Sequence, residues 1–88
     1  KDFLFDIVKI DGCFIRGIHD DTDNQVLTEA LVMIAKQFDM FTVAEYVESR
    51  RDADYLASTG VDCLQGYLFG APAILPRLPH QFQGKRTA

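Results

Sequence analysis

The chain has 88 residues, 48% of them apolar and 25% charged, with a net charge of −4. That suffices for one small core but falls well short of the roughly 250 residues of a complete eight-fold α/β barrel. The acidic balance argues against a nucleic-acid-binding face, and no apolar run approaches the ~18 residues of a membrane span. The chain starts on Lys1 rather than Met and runs at once into Phe3-Leu4-Phe5, so it reads as a fragment of a longer protein, without a signal-peptide pattern.

Asp6 to Ile10 is β-branched and short, the pattern of a buried strand. Gly12 permits a turn, Cys13 to Ile18 leaves room for one helical turn, and His19 to Asp21 form a polar loop. Thr22 or Asp23 is placed to cap a helix over about 23–38. Its apolar stripe is Val26, Leu27, Ala30, Leu31, Ile34, Ala35 and Phe38, with Thr28, Glu29, Lys36 and Gln37 outside it. Phe41 to Ala44 is the second strand. Ser49 followed by Asp52 reads as a capping box that opens a helix through Ala53, Leu56 and Ala57, with Gly60 as its left-handed terminator. Val61 to Leu64 is the third strand. Prolines at 72, 76 and 79 forbid a long regular helix beyond Gly70. Domain-like sequence therefore spans 1–79, followed by a polar, frayed tail over 80–88.

Strand, helix, strand, helix, strand implies parallel strands joined by right-handed crossovers. The fold class is α/β, about three parallel strands with crossover helices, like the C-terminal portion of a TIM-like (β/α)8 barrel. Each strand delivers a polar group at or just past its end, namely Lys9, Glu45 and Gln65. Barrels present catalytic side chains at that carboxyl face. Taken singly, Lys9 reads as a lysine that snorkels to the surface, Glu45 as an end-of-strand acid and Gln65 as a structural amide. In a cleft, Lys9 would offset phosphate charge and Glu45 would bind a hard cation or its water. Asp11 and Glu48 are placed to fix loops, and Gly66 to allow close backbone approach. Asp20, Asp21 and Asp23 read as a solvated loop and helix start. His19 and His80 have no partner at metal-ligand spacing and read as surface residues. Cys13 and Cys63 read as buried free thiols, suited to a reducing, cytoplasmic compartment.

The strings Lys9-Ile10-Asp11, Ala44-Glu45-Tyr46-Val47-Glu48 and Gln65-Gly66-Tyr67 stand in one order. Over about Asp6 to Pro72 they resemble the C-terminal part of the EAL domain, the cyclic di-GMP phosphodiesterase family. The resemblance implies that Lys9 and Glu45 are catalytic, Glu45 also a metal ligand, and that Gln65 contacts substrate, with Asp11 and Glu48 supporting. It implies hydrolysis of cyclic di-GMP to the linear dinucleotide with Mg²⁺ or Mn²⁺ in a full domain, and no metal on this chain alone. Tyr46 departs from the pattern, which has a small residue there. The family's Glu-Ala-Leu signature, its middle-strand ligands and its paired aspartates have no counterpart in these residues.

The implied function is thus that of a piece of a bacterial phosphodiesterase domain. Alternatives are a degenerate EAL domain that binds cyclic di-GMP as a receptor, and a structural half-barrel. The strand edges at 6–10 and 62–65, and Val8, Ile10, Val43 and Leu64, are expected to be uncovered, which predicts a homo-oligomer. No nucleic-acid polymer and no membrane contact are expected of this segment.

Overall fold

A computed structural model of the protein describes residues 6–76. The domain limit at 79, the tail over 80–88 and His80 lie outside the described residues. Chain order is β1 (Ile7–Ile10), α1 (Gly12–Ile15), a 3-10 turn (Ile18–Asp20), α2 (Thr22–Gln37), β2 (Phe41–Ala44), α3 (Arg50–Ala57), β3 (Cys63–Leu64) and β4 (Ala73–Ile74). β1 pairs with β2 and β2 with β3, both parallel, as the alternation of strands and helices predicts. β4 is an addition to that reading. It pairs antiparallel with β3, giving the sheet order β1-β2-β3-β4. A strand of two residues is too short to show strand periodicity in sequence. The edge expected to be open at 62–65 is therefore occupied, and among the described residues β1 is the one parallel strand left at an edge.

Register decides what each face carries, because side chains alternate along a strand. Ile10 lies beside Ala44, Ala44 beside Leu64, and Leu64 beside Ala73. This row joins Ile15, Ile18, Val32, Val47, Ala53, Leu56 and Val61 in the core beneath the helices. The opposite face carries Ile7, Lys9, Val43, Cys63 and Ile74, with Ile7 55% and Ile74 66% exposed. Expectation and structure part here. Ile10, Val43 and Leu64 are buried within the chain and Val8 is half-buried, so the uncovered apolar side chains of the sheet are Ile7 and Ile74. At the other end of the strands, Thr42 donates from N and Oγ1 to the buried Asp62 carboxylate at 2.9 and 3.1 Å. Asp62 N donates back to Thr42 Oγ1 at 3.0 Å.

Asp21, rather than Thr22 or Asp23, caps α2, accepting from Asn24 N at 3.0 Å. The buried face of α2 is Thr28, Val32 and Ala35. Of the expected stripe only Ala35 is buried and Leu31 is half-buried, whereas Val26, Leu27, Ile34 and Phe38 are exposed. Apolar residues occur around most of this helix, so periodicity alone could not choose the sheet-facing side. Burying Thr28, whose Oγ1 has no hydrogen-bond partner, runs against a hydropathy rule. Cys13 also differs from expectation: it is exposed, while Cys63 is buried. Burial lifts the Cys63 thiol above its ordinary value, and the charge of Asp62 adds to the effect.

Ser49 caps α3, accepting from Asp52 N at 3.1 Å, and Gly60 takes the left-handed turn after it at φ +93°. The Asp52 carboxylate takes on a longer-range task. It accepts from Gly17 N at 2.9 Å and His19 N at 3.0 Å, and His19 Nδ1 lies 2.6 Å away. His19 is therefore tied to α3 and is not the isolated loop residue expected. Burial alone would raise the Asp52 pKa, but the His19 amide and ring and the Gly17 and Ser49 groups outweigh it, leaving the carboxyl below its ordinary value. Tyr55 ties the helices together by donating to Glu29. Burial first and the Glu29 carboxylate second push its phenol upward.

The exits of β1 and β2 meet where Tyr46 lies on Gly12. Tyr46 has φ +62°, a left-handed conformation costing a side-chain-bearing residue roughly 1–2 kcal/mol. A Cβ on Gly12 would stand 2.4 Å from Tyr46 Cδ2 and 2.8 Å from its Cβ. The Arg16 guanidinium carbon sits over the Tyr46 ring, 5.2 Å from its centroid. Gly12→Ala is expected to cost about 1–3 kcal/mol by overpacking, and most of that cost should vanish in the Gly12→Ala/Tyr46→Gly double variant. Equilibrium denaturation of the four-member cycle measures the coupling, and additive effects would refute the contact. Asp52→Asn is expected to cost about 2–4 kcal/mol, since two part-buried amides lose a charged acceptor. Because the folded-state pKa of Asp52 is depressed, its contribution is whole above the ordinary carboxylate value of 3.8. It is lost as pH falls through the lower folded value. A urea-midpoint profile in which wild type and Asp52→Asn keep a constant gap down to the most acidic pH would contradict this.

Candidate active-site cleft

The register that buries Ile10, Ala44 and Leu64 turns their neighbours Lys9, Glu45 and Gln65 to the other face, at the carboxyl ends of the parallel strands. The ladder runs on past each strand, with Glu45 N donating to Ile10 O at 3.1 Å and Gln65 N to Ala44 O at 3.0 Å. Lys9 Nζ lies 3.9 Å from Glu45 Oε2, with the lysine side chain 63% and the glutamate side chain 26% exposed. So long and wet an ion pair adds little stability. Its interest lies in holding a cation and a carboxylate side by side without a core to absorb either.

A cleft of about 470 Å³ opens beside them, lined by Glu45 and Tyr46 from the β2 exit and by Gln65 to Tyr67 and Gly70 to Pro72 from the β3–β4 loop. Gly66 makes this wall possible. A Cβ there would lie 2.2 Å from Val47 O and 2.5 Å from Val47 N, and Val47 N donates to Gln65 O at 2.9 Å. The two loops are in backbone contact, the close approach foreseen for Gly66. Tyr67 is 84% exposed and Tyr46 50%, so the cleft offers two aromatic surfaces, one amide and one carboxylate. Sequence alone does not mark the aromatic pair as a cleft surface, although Tyr46 and Tyr67 both stand within the strings that carry the resemblance.

Asp11 caps α1, accepting from Cys13 N at 2.9 Å. That hydrogen bond is the main cause of its carboxyl lying below the ordinary value. Glu48 is exposed and stands outside the cleft lining. Among the described residues no group of three or more His, Cys, Asp or Glu side chains could hold a metal ion. Glu45 alone is one ligand at most, and these residues do not fit a complete metal centre. No helix of the described residues is long and apolar enough to cross a membrane.

The family model of the EAL domain matches residues 1–72. Among similar proteins, the probable cyclic di-GMP phosphodiesterase PdeD of Escherichia coli (strain K12) is 35% identical, over 92% of this chain and 15% of its own length. The cyclic di-GMP phosphodiesterase PdeF of the same organism is 39% identical, over 82% of this chain and 10% of its own length. Among solved structures, a standalone EAL protein of Vibrio cholerae O395 in its c-di-GMP-bound form superposes with a TM-score of 0.72 at 33% identity, over 93% of this chain and 35% of that one. The manganese/cy-diGMP complex of Klebsiella pneumoniae BlrP1 also gives 0.72, at 30% identity, over 82% of this chain and 18% of that one. The chain thus spans only a minor part of each of these four proteins. Its parallel strands and crossover helices are part of an EAL-type α/β barrel, and the chain belongs to the EAL domain family.

Proposed function

We propose that this chain is the C-terminal part of a cyclic di-GMP phosphodiesterase domain of a bacterial signalling protein, working in the cytoplasm. The observation that carries the reading is the shared register placing Lys9, Glu45 and Gln65 on one face at the carboxyl end of the strands, in a member of a family whose named relatives are such enzymes.

In this reading the Glu45 carboxylate would supply one ligand to a divalent ion, Mg²⁺ or Mn²⁺, or would accept a proton from the attacking water. Lys9, 3.9 Å away, offsets the charge that gathers on phosphate oxygens. Gln65 hydrogen-bonds substrate from the opposite wall, while Asp11 and Glu48 hold the loops. The bound ion would polarise the phosphate and lower the pKa of its water. Its further ligands would have to come from beyond the described residues.

The test is turnover of cyclic di-GMP by the gene product containing this chain, with Mn²⁺ present. Glu45→Gln and Lys9→Met should each lower kcat by about 10²-fold or more, and Gln65→Ala should raise KM. The 88-residue chain alone should show no turnover. Tight binding of cyclic di-GMP without hydrolysis by the whole product would assign the receptor role instead. For the isolated chain, the exposed Ile7 and Ile74 on the sheet's open face favour self-association. Sedimentation equilibrium at micromolar concentration should give more than the 9.9 kDa of one chain.

A further inference from the structure

We propose that Tyr46 is a specificity-determining residue whose ring stacks on one guanine base of the cyclic dinucleotide, an inference that rests on the phosphodiesterase reading above. Tyr46 follows Glu45 directly and lines the same cleft. It holds a left-handed backbone conformation that glycine would adopt without cost. Core packing does not account for a tyrosine there, since half of its surface is open. Backbone strain retained at an open position beside a cleft points to a use for the side chain.

The ring is also held in place. Gly12 leaves room for its Cβ–Cγ–Cδ2 edge, and the Arg16 guanidinium occupies part of one face. What remains is a flat, pre-positioned aromatic surface that loses little rotamer freedom when a ligand arrives. The cleft's volume of about 470 Å³ lies in the range of small-molecule sites. Its walls combine two tyrosines with an amide at Gln65 that can both donate and accept. Planar rings with mixed hydrogen-bonding edges suit that surface, and among cyclic dinucleotide groups only the bases have them. Sugar and phosphate have no π-face to offer.

The experiment uses the gene product containing this chain and compares wild type with Tyr46→Gly, Tyr46→Phe and Tyr46→Leu. Tyr46→Gly relieves the backbone strain, so it should melt no lower than wild type while binding cyclic di-GMP about tenfold more weakly. The loss should appear in KM rather than kcat. Tyr46→Phe should bind as wild type does, and Tyr46→Leu, which keeps bulk without the flat ring, should weaken binding as Tyr46→Gly does. Competition should separate base from backbone, GMP losing potency in Tyr46→Gly while ribose 5-phosphate does not. Equal affinities for cyclic di-GMP in wild type, Tyr46→Gly and Tyr46→Leu would overturn the stacking role and leave the phosphodiesterase reading standing. Failure of every variant and of wild type to bind cyclic di-GMP would overturn both.

Discussion

One pairing phase governs the sheet and the core built on it. With Ile10 beside Ala44 and Ala44 beside Leu64, these three side chains enter the core, and their neighbours along each strand are sent to the other face. The apolar row binds α2, α3 and the 3-10 turn to the sheet through dispersion and water exclusion. The same phase sets the position of Lys9, Glu45 and Gln65. Stability of the core and assembly of the cleft follow from one alignment. A shift by a single residue would exchange the two faces and lose both.

The loops that shape the cleft are fixed differently. They have few apolar residues to bury, so their positions depend on specific polar and steric contacts. Asp52 gathers two backbone amides and a histidine ring across more than thirty positions of sequence, replacing what a larger hydrophobic contact would do. Tyr46 against Gly12 and Gly66 against Val47 set how closely three chain segments approach. Contacts of this kind are short-ranged and intolerant, so the site's geometry rests on a few positions rather than on bulk packing.

Much of this was legible beforehand, and for identifiable reasons. β-branched strings ending in a charged or amide residue marked the strand exits, and the serine three positions before Asp52 marked the start of α3 by a local hydrogen bond. Such signals lie within a few residues of one another and survive any tertiary arrangement. The face of α2 was not legible, because apolar residues surround the helix and its sheet-facing side includes Thr28. Nor was the partnership of His19 with Asp52, a contact that only the fold brings together. β4 escaped because two residues cannot display a period. Cys13 looked buried in an apolar string, yet α1 is a single turn whose inward positions are Gly12 and Ile15.

The bracket between Thr42 and Asp62 lies toward the amino ends of β2 and β3, away from the cleft. Its three side-chain hydrogen bonds fix where β3 begins against β2, and β3 has only two residues of its own to hold that phase. The bracket thus acts as a frame marker for everything downstream of it, Gln65 included. The cleft's composition is in this sense encoded at both ends of the sheet. A defect at the remote end would emerge as altered ligand recognition in a chain whose helices remain intact, and a search confined to cleft residues would miss its origin.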